Sequence, residues 1–451
     1  MIMEEVVDTS RGLTVGQKYL TRKQKEAVGL LSIGTFLEYF DLMLFLHMAV
    51  LLNELFFPAS DPHMAALLSA FAFCSRHLLR PFGALIFGYI GDNIGRKHTV
   101  VITTFLMAIA SVVMANLPTY AEIGITATCL MIICRMFQSV SSLGEIIGAE
   151  LYLTEITKPP VQYSAVAAIE IFCALGGLGA LALASLVTSF GLNWRLAFWI
   201  GALVAVVGAL ARTNLRETQD FVDAKKQIKR IMAQANLNEK QLEDNPIYTE
   251  KVSKKTLLAL FLLDCSWPVC FYLAYIYSSN ILKNSFGYSA EDVIHQNLIV
   301  SMVEVFGTML LAYFSYKIYP LLILKVKLVI FSIFILICPY LFQHVGSAFE
   351  LLIIQSFIMF FGFFMCPAFP IFFKNLPVFK RFTYSGLSFG LSRALMSTVT
   401  SFGFIYLIEY FGYYGMWFIL IPIAIGFTFG IFHFEGLEKQ RWKLDKPLYT
   451  Q

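Results

Sequence analysis

The sequence predicts an all-α polytopic membrane protein, with twelve transmembrane helices in two six-helix bundles. Three observations lead there. Hydrophobic residues make up 58% of the 451 and charged residues 14%, against about 25% charged in soluble domains. Twelve apolar segments follow one another, divided six and six by a polar stretch at 213–255. Lys and Arg are sorted by side. The N-terminus, the even-numbered loops and the C-terminus hold 28 of 34, the odd-numbered loops two (Arg195, Lys283), and the spans four (Arg76, Arg80, Arg135, Arg393). That sorting is the positive-inside pattern. Disorder, a disulfide scaffold and a collagen-like fibre are excluded. So is a β-barrel, because backbone groups in lipid must be bonded internally and these runs have the length of helices.

The elements follow in order. Residues 1–26 form a cytoplasmic tail whose basic residues (Arg11, Lys18, Arg22, Lys23, Lys25) precede an apolar segment without a small-residue cleavage site, so that segment is expected to stay as the first span. Residues 27–212 form the first bundle, with spans near 28–51, 64–90, 99–117, 124–151, 164–189 and 196–212. Residues 213–255 are a charged cytoplasmic linker with helical spacing. Residues 256–434 form the second bundle, near 257–281, 292–315, 325–343, 348–372, 384–410 and 414–433, and 435–451 is a cytoplasmic tail. The tail carries no heptads, so no coiled coil is expected there. The eight cysteines lie in apolar stretches without CxxC spacing and are expected to be free, buried thiols.

Charge inside a span costs about 2.5–3.5 kcal/mol at a helix centre and persists where it faces a cavity or a partner. Glu38 and Asp41 are three residues apart and share a face of span 1. Two close carboxylates repel, which makes one a candidate proton carrier, unless it only pairs with an arginine. On span 4, Arg135, Gln138, Ser142 and Glu145 fall at spacings of 3, 4 and 3 and form one polar stripe, facing a central cavity or a charge network. Arg76 and Arg80 stand one turn apart on span 2 with His77 beside them. Trp267, Tyr272, Tyr275, Tyr277 and Asn280 of span 7 offer donors and stacking faces for a solute, or a packing surface. Glu304 and Arg393 are a candidate pair in the second half. Asp264 is expected nearer the interface, where charge is cheaper. His47 reads as a cavity-facing polar residue.

Between spans 2 and 3 stands Gly88-Tyr-Ile-Gly91-Asp92-Asn-Ile-Gly95-Arg96-Lys97. Its glycines permit a tight turn and close helix approach, and Asp92 can cap a neighbouring helix's N-terminus. The stretch resembles the signature loop of the major facilitator superfamily. Further residues narrow the resemblance. They are Gly34-Thr-Phe-Leu-Glu38-Tyr-Phe-Asp41, Leu79-Arg80-Pro81-Phe82-Gly83, Arg135-Met-Phe-Gln138 with Gly144-Glu145 and Glu155, Asn193-Trp194-Arg195, and Phe382-Thr383-Tyr384-Ser385-Gly386. Together they look like the metabolite:proton symporter branch, which includes the bacterial proline/betaine, α-ketoglutarate, citrate and shikimate transporters. The resemblance covers residues 27–435 and is denser in the first half. It implies a midplane site reached by alternating access, a bacterial inner-membrane location with both termini cytoplasmic, and an acidic position at Glu170 on span 5, a proton-coupling candidate unless it only pairs with Arg135 or Arg80. One departure concerns gating. The loop between spans 8 and 9, Ala312-Tyr-Phe-Ser315-Tyr-Lys317-Ile-Tyr-Pro320, lacks the Gly and Asp of the pattern.

No phosphate loop, Ser-His-Asp arrangement or metal constellation is legible, so an enzyme, a nucleotide-driven pump, a bound cofactor and a nucleic-acid partner are not expected. The expected function is proton-coupled uptake of a small organic solute by a monomer in the bilayer. The intramembrane arginines favour a carboxylate or polycarboxylate, since an arginine fork binds a carboxylate bidentately. A zwitterion such as proline or betaine, sodium coupling, and a transport-inactive receptor on the same fold stay open.

Overall fold

The computed structural model describes residues 16–47, 52, 55, 56, 77, 79–190, 193–213 and 252–444. The linker expected at 213–255 therefore lies, from 214 to 251, outside the described residues, as do Arg76, Cys74, most of the first half of span 2 and both tail ends.

Twelve helices cross the molecule among the described residues. The first half holds α1 (Arg22–His47), α2 (Arg80–Asn93), α3 (Arg96–Ala115), α4 (Ile125–Ile156), α5 (Val161–Ser189) and α6 (Arg195–Arg212). The second holds α7 (Lys254–Phe286), α8 (Ala290–Lys317), α9 (Pro320–Gln343), α10 (Ala348–Phe361), α11 (Arg381–Phe411) and α12 (Trp417–Leu444). Eight helical segments are long and apolar enough to cross a membrane. Local chemistry sets several ends. Pro81 and Pro320 open α2 and α9, where a missing N–H costs nothing. Ser289 opens α8 as half of a capping box with Asp292, and Ser347 caps α10 through the Glu350 amide at 3.2 Å.

Two spans are less regular than the sequence pattern suggests. Span 7 is continuous only in outline. The α-helix pauses at Cys265, resumes over Ser266–Phe271 with Pro268 inside it, and becomes π-helical over Tyr272–Tyr277. A proline removes a backbone donor and crowds the preceding turn, and Gln355 of α10 takes the Ala274 carbonyl at 2.6 Å. The tenth span, expected as one run to 372, stops at Phe361 and re-forms only over Phe369–Lys374. Pro367 and Pro370 fall at the break, and the residue before a proline is pushed out of helical conformation.

Within the first half, α1 packs on α5, and α3 packs on α4 and α6. Within the second, α7 and α9 pack on α12, and α8 on α10. The halves meet along two seams, α2 with α11 and α5 with α8. Helix α9 shows the radial logic. Leu322, Val326, Val329, Ile333, Leu336 and Tyr340 recur at three- and four-residue steps and are exposed, as a lipid-facing stripe. Leu324, Leu328, Phe331, Ile335 and Cys338 on the other face are buried. Lys327, grouped with loop charge by sequence, belongs to that inner face and is buried. Cys129 is the exception to the expected buried thiols, being exposed on α4.

Candidate functional site

Carboxylates gather between the halves. Glu150 of α4, Glu170 of α5 and Asp264 of α7 line a cavity of about 10 Å³, with Trp267, Phe389 and Arg393 completing the wall. That is near the lower limit for one water molecule. All three acids are buried. The Glu150 and Glu170 carboxyl groups stand side by side, and neither oxygen of Glu150 reaches a donor by hydrogen-bond geometry among the described residues. Asp264 accepts from the Ser388 hydroxyl, and its main-chain carbonyl accepts from Arg393 Nη1 at 3.1 Å. The Arg393 guanidinium lies over the Phe389 ring, 4.5 Å from its centroid, the two being one helical turn apart.

Helix α7 starts at Lys254, so Asp264, expected near the interface, lies about 15 Å along the axis at 1.5 Å per residue and is buried in the wall of the smaller cavity.

A second cavity, about 70 Å³, adjoins the first. Here the polar lining is of opposite sign, with His77, Arg80 and Arg393 joined by Tyr272, Ser397 and Thr400. Arg80 is held over Phe389 at 5.6 Å. Tyr39, Ile146, Trp267 and Arg393 belong to both cavities.

Asp41 and Arg135 form a separate cluster. Arg135 Nη1 lies 3.3 Å from Asp41 Oδ2 and 3.0 Å from Gln138 Oε1, and its guanidinium covers the Phe45 ring at 3.8 Å. Neither residue lines the two cavities. The side chains of Glu38, His47, Ser142 and Glu145 lie outside the described residues, so the rest of the expected stripe stands undescribed.

On α7, Tyr272 reaches the larger cavity and stacks on Phe404 at 5.6 Å. Tyr275 is turned away, its hydroxyl donating to Glu304 Oε2 at 2.7 Å with both side chains buried. The expected Glu304–Arg393 pair is thus corrected. Tyr275 reaches Glu304 because the widened π-turn rotates successive side chains off α-helical spacing. Asn280 is exposed and lines neither cavity.

The signature loop sits at the end of the molecule that carries residues 16–22 and the close of α12, hereafter the proximal end. Asp92 accepts from the Phe382 and Thr383 amides at 3.0 and 2.8 Å and from the Thr383 hydroxyl at 2.7 Å. It therefore caps α11, a helix of the other half. Arg96, fully buried, bonds Asp92 at 3.0 Å and Glu155 at 3.2 Å, and Glu155 also takes Arg381 at 3.1 Å. Two cations and two anions balance, which is what burial of charge requires. Gly88 and Gly91 permit the contact. A Cβ on Gly88 would stand 2.7 Å from Thr383 Oγ1, and one on Gly91 2.6 Å from the Phe382 ring. Gly95 has φ 147°, open to glycine, and Lys97 is half-buried. At the degenerate 8–9 loop aromatics substitute for charge. Tyr319 meets Tyr163 of α5 edge-on at 6.4 Å, and Lys317 donates to Tyr313 at 2.6 Å.

Glu150 and Arg381 are the residues sequence reasoning passed over. Glu150 closes the apolar run of span 4, and a lone acid inside such a run is the signal that marks it. Arg381 reads as ordinary loop charge.

Comparison with known proteins places this geometry. The sequence profile of the major facilitator superfamily matches residues 31–354. The chain is 30% identical over 298 residues to the proline/betaine transporter of Salmonella typhimurium, covering 63% of this chain and 57% of that one. It is 28% identical over 282 residues to the citrate-proton symporter of Klebsiella pneumoniae, covering 60% of each. The chain thus matches less than two thirds of the length of either relative. Among solved structures, a proton:xylose symporter bound to 6-bromo-6-deoxy-D-glucose superposes with a TM-score of 0.76 at 14% identity, over 92% of this chain and 96% of that one. At that identity the likeness is one of fold. Helix order, seams, signature loop and profile agree, and the chain belongs to the major facilitator superfamily.

Proposed function

We propose that the protein is a secondary active transporter that takes up a small carboxylate-bearing solute together with protons. One observation carries the reading. Between the two halves an acidic cavity adjoins a larger one lined by His77, Arg80 and Arg393. Carboxylates in a dry pocket suit a proton, and guanidinium groups beside hydroxyls suit a carboxylate. Resemblance to a citrate-proton symporter supports the pairing. The halves, 27–212 and 256–434, rock about this site as a monomer. The N-terminus, the even-numbered loops and the C-terminus hold 28 of the 34 basic residues of the sequence, which favours a cytoplasmic proximal end, together with both termini and the 213–255 linker. The Asp92 cap on α11 and the Arg96–Glu155–Arg381 cluster then close the cytoplasmic face. Asp41 and Glu38 remain candidates for a second proton station, with Arg135 as counter-charge.

A zwitterion is the second reading. Glu150, Glu170 and Asp264 would receive an ammonium group while Arg80 and Arg393 hold the carboxylate, and a proline/betaine transporter is among the relatives. The test is uptake into proteoliposomes of radiolabelled succinate, citrate, L-proline and glycine betaine, with and without an inward proton gradient. Gradient-dependent accumulation of succinate or citrate bears the first reading out, and accumulation of L-proline or glycine betaine alone selects the second. No accumulation of any of the four overturns both.

A further inference from the structure

Arg393, half-buried on α11, is the charged group that both cavities share, and its surroundings are unusual for a guanidinium between two bundles. Among the described residues no carboxylate lies within ion-pair distance of it. It donates to a main-chain carbonyl and lies over an aromatic face. On one side stand Glu150, Glu170 and Asp264; on the other stand Arg80 and His77. Tyr39 of α1 closes the junction, and Glu304 of α8 stands behind Glu170, held by Tyr275.

We propose that Arg393 is the residue that links proton to solute. With the inner carboxylates charged, its guanidinium leans on them electrostatically and is withheld from the larger cavity. Protons delivered from solvent to Glu150 and Glu170 remove that attraction, and the guanidinium becomes available to a solute carboxylate. No bond other than O–H forms or breaks. The carrier then reorients with the arginine paired to the solute and with Glu150 and Glu170 neutral, a state cheaper to carry through a closed, low-dielectric intermediate than one with both glutamates charged. The geometry favours this because Arg393 is bound by one hydrogen bond and a ring face rather than a salt bridge, so turning it breaks little. This inference deepens the symport reading and rests on it.

The test needs no solute. N,N′-dicyclohexylcarbodiimide modifies carboxyl groups in their protonated form, and peptide mass spectrometry reads each site. The full chain, purified in detergent, is labelled from pH 5.5 to 9. Taking away a neighbouring cation moves carboxyl protonation by about one pH unit or more. Labelling at Glu150 or Glu170 is therefore expected to persist to a pH about one unit higher in Arg393→Gln than in wild type, and Arg393→Lys should return it. Labelling at Glu304 is the internal reference and should stay in place. An Arg393→Gln profile that matches wild type at both glutamates overturns the proposal. So does one that Arg393→Lys fails to restore. If Arg393→Gln does not fold, Arg393→Met keeps the contact with the Phe389 ring and carries the same expectation. A silent uptake panel would overturn the symport reading without touching this result.

Discussion

In the middle of α4, Arg135 sets its Nη1 3.3 Å from Oδ2 of Asp41 on α1, with both side chains buried. The pair joins two helices of one half. A change confined to one partner removes the ion pair from the other's buried charge, Arg135 keeping Gln138 and the Phe45 ring; breaking a buried pair from one side typically costs about 3–5 kcal/mol, while removing both costs much less. Asp41→Asn is therefore expected to lower the melting temperature more than Asp41→Asn with Arg135→Gln. It is also expected to reduce gradient-driven uptake at least about tenfold, the factor that 1.4 kcal/mol represents. Losses in Asp41→Asn and Arg135→Gln that add up to the loss in the double variant would show that the pair contributes no coupling.

The Asp92 cap makes the second prediction. A carboxylate that accepts from two amides and a hydroxyl of α11 holds the halves together at the proximal end. Charge-assisted hydrogen bonds contribute about 1.5–3 kcal/mol each, so Asp92→Asn should move the closed-to-open ratio at this end by about 10-fold or more. Spin labels on the proximal ends of α2 and α11, read by pulsed dipolar spectroscopy, measure it. An unchanged distance distribution would mean that the Arg96–Glu155–Arg381 cluster closes the face unaided.

Much of this was legible in the sequence. A charge inside an apolar run announces itself, which is why Asp41, Arg135, Glu170, Asp264 and Arg393 could be named without coordinates. Their partners could not. Glu170 faces Glu150, with Arg393 in the same cavity, rather than Arg135 or Arg80, because which side of α5 meets α4 depends on packing that no spacing rule within one helix encodes. Glu304 takes Tyr275 through a π-turn that the period-3.6 reading of span 7 does not contain. The signature loop was the opposite case. Its glycines and Asp92 are local chemistry, and the structure gives each the capping or close-contact role its residue type suggested.

Steric room sets the third prediction. The Cβ of an alanine at position 88 or 91 would fall inside contact distance of Thr383 or Phe382. Overpacking of this kind costs about 1–3 kcal/mol, paid only in the conformation where α2 touches α11. Gly88→Ala and Gly91→Ala should favour opening at the proximal end. The expected readout is faster maleimide labelling of Lys380→Cys, just before α11, in a background whose eight native cysteines are replaced. Unaltered labelling would place the closed contact elsewhere.

The last prediction concerns Tyr275 and Glu304, which hold each other inside the second half. Tyr275→Phe removes the donor and keeps the ring, leaving a buried carboxyl oxygen without its 2.7 Å partner. An orphaned buried acceptor costs about 1–3 kcal/mol. Glu304→Gln in the same background removes the charge that made the vacancy expensive and supplies an amide that can satisfy itself against Ser301, which lies on the same helix one turn back with a hydroxyl lacking a partner among the described residues. The double variant should therefore melt above Tyr275→Phe alone, a coupling of about 0.5–3 kcal/mol of the kind contacting residues show. Additive losses would mean that the hydrogen bond contributes nothing beyond packing, and that the π-turn is held instead by Gln355 on the Ala274 carbonyl. In that case Gln355→Leu, not Tyr275→Phe, would be the substitution that disturbs α7.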